Sequence, residues 1–426
     1  MKSLPQGEVF FELDARLERR VPAPIAVAFS GGGDSLALLL AAKAWTDDRG
    51  RRLIALTVDH GLQAPSAGWA AWCARRAHEL GVEHRTLAWL GEKPRAGLAA
   101  AARGARHALI ADAAREAGAR VVLFGHTADD VLEAEGMRAD GLSVPSPRGW
   151  SPSPAWPRGR DLYISRPLLG VRRAAIRAVL ARAGETWIED PANVDPRQPR
   201  ARTRALIAAA GGSPRPQEPP ADLSPLFLAA SFGPAGDLAL PLETLASASV
   251  ERRRRFLGMA IACASGGEPP ARGPFFDRLA GLTAGDGPFV STVGGALTLA
   301  NGATLRIVRE IGDRRSRPAP ELALIAGEPV VWDGRFEIDA EKDGLRVRPL
   351  AGLASRLSPA ARKALSDLSS AARRALPAII DAAGAVSSPA LIPDQTVTLR
   401  GLVEARLAGA CGVVQTEADA AAWSAR

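Results

Sequence analysis

The stretch Ile25-Ala26-Val27-Ala28-Phe29-Ser30-Gly31-Gly32-Gly33-Asp34-Ser35-Leu36 decides the fold of the first half of this chain. An apolar run of five residues reads as a buried strand, and the apolar pattern from Leu36 reads as a helix. Between them lie three successive glycines, which permit positive φ and let backbone N–H groups crowd around an anion with no Cβ in the way. The helix start behind them adds unpaired donors and the positive end of a dipole, so the turn is suited to phosphate. No Gly-Lys dipeptide occurs anywhere, which excludes a Walker-type loop, and the glycines lack the G-x-G-x-x-G spacing of a dinucleotide fingerprint.

Working outward, residues 25 to about 190 alternate strands with helices. Ile25–Phe29, Leu53–Val58, His84–Trp89 and Val121–Phe124 read as strands. Leu36–Trp45, Ser66–Leu80, Leu98–Glu116 and Asp129–Arg138 read as helices between or after them. That alternation implies right-handed crossovers and an α/β fold with a doubly wound parallel sheet. Ligands on such sheets sit beyond the carboxyl ends of the strands, where the Ser30–Ser35 loop, Asp59-His60 and Gly125-His126 all fall. Ser143–Pro157 reads as a long surface loop and Gly211–Pro220 as a linker. Beyond it, Leu240 to about Leu282 reads as mainly helical. Strand-like pieces at Leu305–Val308, Pro329–Trp332 and Leu345–Val347 and a helical segment at Pro359–Ala375 then suggest a small α+β domain. The expected domains are residues 1–212 (catalytic), 221–320 (mainly helical) and 321–426 (small, α+β).

Two further constellations carry chemistry. In His126-Thr127-Ala128-Asp129-Asp130-Val131-Leu132-Glu133, at a strand end and helix start, Asp130 and Glu133 share one face. Two carboxylates and an imidazole beside a phosphate loop can hold Mg2+, receive an ammonium or move a proton. The bland alternative is that the two aspartates cap the helix. The other series is Arg166-Pro167-Leu168-Leu169, then Trp187–Asn193, then Arg200-Ala201-Arg202-Thr203-Arg204.

Composition fits a cytoplasmic enzyme. The 426 residues carry a formal net charge of +8, which favours an acidic partner such as nucleic acid. The three cysteines, Cys73, Cys263 and Cys411, are far apart, so neither a disulfide framework nor a metal pair is expected. No apolar run approaches the roughly 20 residues of a membrane span, so no membrane association is expected.

Taken in this order, the Ser30–Ser35 loop, Val58-Asp59-His60-Gly61-Leu62, Arg103-x-x-Arg106, His126–Glu133, Arg166–Leu169 and Glu189–Arg204 resemble the tRNA(Ile)-lysidine synthetases, a family with a pyrophosphate loop. The resemblance covers residues 21 to 205 well and the tail around Leu345–Leu350 and Leu376-Pro377-Ala378 weakly. It implies a ligase that uses ATP to adenylate the 2-carbonyl of the wobble cytidine of the isoleucine tRNA with a CAU anticodon. The ε-amine of free lysine then displaces AMP. It implies ATP contacts at Ser30, Gly31, Gly32, Gly33, Asp34, Ser35, Asp59 and His126, and Mg2+ at Asp34. Catalytic roles fall to Asp34, Asp130, Glu133 and Arg106, and contacts to tRNA or the substrate base to Arg103, Arg166, Arg200 and Arg204. The family often shows Gln and Thr where this chain has Val131 and Ala134, Tyr at His107, Ser at Ala192 and Asn at Ala201. Two alternatives stay open, a tRNA 2-thiolation enzyme with the same loop and an inactive tRNA-binding homologue, and the oligomeric state is open between monomer and homodimer. The later arginine clusters, Arg252–Arg255, Arg314-Arg315 and Arg373-Arg374, are expected to supply tRNA affinity.

Overall fold

A computed structural model describes residues 6–142, 144–191, 199–209, 222–268, 277, 279, 281, 287–312 and 319–425. The linker read at Gly211–Pro220, Arg314-Arg315 and Ala192 lie outside these residues. The chain forms two compact units, Met1–Glu218 with Val414–Ala425, and Pro219–Val413.

The first unit opens with helix α1 (Gln6–Arg16) and strand β1 (Ile25–Ala28), followed by α2 (Gly33–Arg49), β2 (Leu53–Asp59), α3 (Ser66–Glu79) and β3 (Glu83–Ala88). Then come α4 (Leu98–Glu116), β4 (Val121–Phe124), α5 (Ala128–Ala139), β5 (Trp150–Pro152), β6 (Tyr163–Ser165), α6 (Arg173–Arg182) and α7 (Pro199–Ala209). The sheet order is β3-β2-β1-β4-β6-β5, parallel except for β5. Strands β1 and β4 are central and covered on both faces, which is why Ile25, Ala26, Val27 and Val121–Phe124 are a continuous buried apolar run rather than an alternating one. Ile110, Ala111 and Ala114 of α4 pack with Ala26, Ile54, Val122 and Phe124 in one core cluster. Strand order reverses between β1 and β4, so the crevice of this sheet opens between the Ser30–Ser35 loop and His126.

The surface loop expected over Ser143–Pro157 contains β5, an antiparallel edge strand paired with β6 through Trp150 opposite Ser165. Its proline, Pro152, sits on the outermost strand, where a missing N–H costs no ladder bond. The indole of Trp150 stacks on Tyr163 at 5.2 Å and donates from Nε1 to the Val414 carbonyl at 3.0 Å. Val414 begins a segment that returns to the first unit and ends in the helix Glu417–Ser424. There the Arg51 guanidinium forms a bidentate pair with Glu417 at 2.7 and 3.0 Å, both side chains being fully buried.

The second unit joins helices to antiparallel sheets. The helix Val250–Ser265 accompanies a five-stranded sheet running from Ser231–Phe232 through Leu238–Pro241, Thr304–Arg309 and Ala296–Asn301 to Phe289–Val293. Two smaller sheets follow, built around Leu345–Pro349 and Phe336–Ala340. The helical reading of Leu240 onward thus holds for the long helix but misses the strand pairing at its start, because Leu238–Pro241 is too short to show a period. Pro359–Ala375 is two helices, Pro359–Ser366 and Ser370–Ala375, the second capped by the Ser369 hydroxyl.

Candidate active site

The turn after β1 is braced from within and from behind. Ser35 Oγ donates to the Gly32 carbonyl at 2.9 Å and accepts from the Ser30 backbone N–H at 3.3 Å, pinning the loop to the first turn of α2. From behind, the Ile188 N–H donates to the Gly31 carbonyl at 2.9 Å. Gly31 has φ of +81°, and a Cβ there would lie 2.4 Å from Ile188 Cδ1 and 2.9 Å from Cys73 Sγ. Glycine is therefore required twice over, by conformation and by space. At the end of β4, a Cβ on Gly125 would stand 3.0 Å from the Asp34 carbonyl, so this glycine lets β4 approach the loop closely.

Beside the loop, one guanidinium gathers three carboxylates. Arg173, the first residue of α6, donates from Nε to Asp34 Oδ2 at 2.8 Å, from Nη1 to Glu133 Oε1 at 3.0 Å and from Nη2 to Asp130 Oδ2 at 3.3 Å. Its own N–H is fixed by Asp129 Oδ2 at 2.7 Å, and Asp129 also pairs with Arg172 at 3.1 Å. Arg204 of α7 adds a second cation on Glu133 Oε1 at 2.7 Å. Asp130 does cap its helix, accepting from Thr127 N and Oγ1 at 2.8 and 2.9 Å, so the capping role and the ionic role coexist in one carboxylate. Burial raises the Asp34 pKa above its usual value, opposed by Arg173 and reinforced by Asp130. Asp34 Oδ1 and Glu133 Oε2 are buried with no hydrogen-bond partner among the described residues.

A second group, across the mouth of β4, is cationic. Arg166 donates from Nε to His126 Nδ1 at 3.1 Å and from Nη1 to the Arg148 carbonyl at 2.7 Å. Burial, then the neighbouring guanidiniums, lowers Arg106 and Arg166 each to about 10. Arg103 is shifted the same way by burial and by Arg200, so charges from α4, β6 and α7 converge. Arg106 Nε has no partner among the described residues. A concentration of buried positive charge of this kind is complementary to phosphate.

Asp59 stands at the end of β2, where its Oδ1 accepts from the Gly61 N–H at 2.9 Å and shapes the following turn. Sequence reasoning missed Arg173. The signal was present: arginines at 172 and 173 sit at the positive end of a helix, an unfavourable place unless carboxylates compensate. The replacements at Val131, Ala134, His107 and Ala201 are all buried, so they alter packing rather than the charge of the site.

The histidines set a pH dependence. Burial, followed by Arg166 and other guanidiniums, lowers His126 from the usual 6.5 to about 2. Burial, followed by Arg106, lowers His107 to about 3. Both rings are neutral in the fold, whereas the unfolded chain protonates them below 6.5, so the unfolded state binds more protons and stability falls as pH drops. Each contributes about 1.4 kcal/mol per pH unit below that point. The denaturant midpoint should fall between pH 7 and 5.5, and His107→Phe should flatten the slope; an unchanged slope would contradict the neutral buried ring.

The glycine loop at the head of α2, the parallel sheet and the crevice at its reversal define an ATP-using enzyme of the PP-loop class, and the PP-loop domain family matches residues 8–210. A tRNA(Ile)-lysidine synthase of Caulobacter vibrioides is 42% identical over 411 residues, covering 95% of this chain and 97% of its own. One from Hyphomonas neptunium is 36% identical, covering 77% of this chain and 95% of its own. The chain belongs to the tRNA(Ile)-lysidine synthase family, whose members are ligases acting on tRNA. Among solved structures, the U34-tRNA thiolase NcsA from Methanococcus maripaludis is similar over 48% of this chain and 72% of its own, with a TM-score of 0.40 and 16% identity.

Proposed function

We propose that the carboxylate cluster receives the ε-ammonium of free lysine, while the glycine loop holds the pyrophosphate of ATP and the cationic group holds the wobble nucleotide of the CAU-anticodon isoleucine tRNA. The observation that carries this reading is the convergence of Asp34, Asp130 and Glu133 on one cation beside the loop, with two of their buried oxygens unpartnered among the described residues. Lysine arrives charged, so an acid pocket must hold it and a carboxylate must take its proton as the amine attacks. Arg103, Arg106, Arg166 and His126 would place the cytidine and its phosphates, with Arg200 at their edge.

Asp34 fits Mg2+, since its Oδ1, without a hydrogen-bond partner among the described residues, is a hard anionic oxygen beside the phosphate loop. No group of three or more His, Cys, Asp or Glu side chains among the described residues is placed to hold a metal, so phosphates and water would complete its shell. When bound, Mg2+ would neutralise charge on the phosphates. Asp34→Asn should cut pyrophosphate release by on the order of a hundredfold or more with the fold intact; near-normal release would overturn the assignment.

Sulfur transfer finds no support. All three cysteines are buried, and burial pushes the thiols of Cys73 and Cys263 up to about 11, far from thiolate at neutral pH. Among the described residues, no helix is long and apolar enough to cross a membrane. For tRNA affinity, Arg252, Arg373 and Arg374 are exposed, whereas Arg253 is buried and Arg254 pairs with Asp277 at 2.9 Å. Consecutive helix residues point about 100° apart, which disperses the Arg252–Arg255 run. The assay of the whole reading is incubation with ATP, radiolabelled lysine and total tRNA. Label confined to one isoleucine tRNA is the expected result, and label in none or in many would refute it.

A further inference from the structure

We propose that Arg173 is a positioning residue that fills the ammonium place in the nucleotide-free protein and vacates it for a triphosphate, so that lysine binds after ATP. The inference rests on the reading that Asp130 and Glu133 receive lysine.

Three observations carry it. One oxygen of each lysine-facing carboxylate is already engaged: Glu133 Oε1 accepts from both Arg173 and Arg204, and Asp130 Oδ2 accepts from Arg173 and from Thr127 twice, while Glu133 Oε2 has no partner among the described residues. An ammonium can therefore bridge Asp130 and Glu133 only if the Arg173 guanidinium, which bridges them now, leaves. Secondly, Arg173 is the group that joins the two subsites, because its Nε holds Asp34, which follows directly on the glycine loop, while its two terminal nitrogens hold Glu133 and Asp130. Thirdly, its backbone is anchored to Asp129 independently of its side chain, so the guanidinium can swing on its stem without unravelling the start of α6.

The direction of the swing follows from charge. A planar guanidinium binds phosphate oxygens with two parallel hydrogen bonds, and a triphosphate on the loop would lie next to Asp34, within the arc of the Arg173 side chain. Drawn to the phosphates, the guanidinium stops neutralising Asp130 and Glu133, and the compact ammonium of lysine takes its place. Lysine entering too early would meet a pocket already closed by a cation.

The test is a binding cycle by calorimetry on the full chain: lysine with and without a non-hydrolysable ATP analogue and Mg2+, and the analogue with and without lysine. In the wild type, the nucleotide should tighten lysine about tenfold, and lysine should tighten the nucleotide by the same factor. In Arg173→Met, nucleotide-free lysine affinity should rise toward the value of the nucleotide-bound wild type, and the coupling factor should fall toward one. Arg173→Lys, which keeps a charge but reaches fewer carboxylates at once, should give intermediate coupling. A merely structural role would lower both affinities and leave their ratio unchanged. A wild-type coupling factor of one with lysine bound, or full coupling in Arg173→Met, would overturn the proposal alone. Lysine binding to neither form, with the nucleotide bound normally, would overturn the reading of the carboxylates and the proposal with it. Should Arg173→Met fail to fold, the wild-type cycle and Arg173→Lys decide.

Discussion

Glu133→Gln is expected to leave adenylation of tRNA measurable while cutting transfer of lysine by roughly a hundredfold or more, the scale of a lost charged contact in a water-poor site. Glutamine keeps the volume and one acceptor oxygen, so the bonds from Arg173 and Arg204 can persist in weaker form. What disappears is the negative charge that holds an ammonium and can accept its proton. The side chain is 2% exposed, so solvent offers little compensation. Each half-reaction can be followed separately, pyrophosphate release from ATP with tRNA for the first and labelled lysine on tRNA for the second. An equal loss in both would move Glu133 out of lysine handling and into the support of Arg173 and Arg204.

The second large effect is on stability. Glu417→Ala should destabilise the first unit by about 3–5 kcal/mol, because removing one member of a buried pair strands the other charge. Arg51 donates to Glu417 and also to the Glu18 and Ala23 carbonyls, each at 2.6 Å, so it is held in place and cannot turn outward to water. The double replacement Arg51→Met/Glu417→Leu should recover most of the loss, since an apolar pair of similar volume carries no desolvation cost. Denaturant midpoints of the three proteins give the answer; a loss under about 1 kcal/mol for Glu417→Ala would mean the pair is solvated. A chain cut near residue 215 lacks Glu417 and suffers the same defect, so the contribution of the later arginines to tRNA affinity is better tested by charge reversal at Arg252, Arg373 and Arg374. Reversal should weaken binding and flatten its salt dependence.

Much of the first unit was legible because its elements announce themselves locally. The runs at Ile25, Leu53 and Val121 are apolar on both faces, the glycines mark the turn, and Asp130 and Glu133 stand three apart on a helix whose start is evident. Residues whose meaning depends on distant partners were not legible. The helix start at Arg173 marks a cation in need of compensating acids, but nothing local says that three acids, from 40 to 139 positions away, meet on it. Trp150-Ser151-Pro152 has the composition of a loop and becomes a strand only because β6 offers an edge. The capping pattern from Thr416 to Asp419 marks a helix start, yet nothing local says that its Glu417 answers an arginine 366 residues earlier.

That last separation bears on biosynthesis. Residues 1–218 emerge from the ribosome well before residues 414–425, and domains assemble from the N-terminus as they appear. The core around Arg51 thus spends the translation of Pro219–Val413 with a charge it cannot yet neutralise. Nascent chains that stall or are cleaved anywhere in that interval are left with the defect permanently, and quality-control proteases that sample transient opening would remove them preferentially. The buried pair acts as a completion mark: the unit that performs the chemistry reaches full stability only on chains whose synthesis has passed through the whole of the second unit.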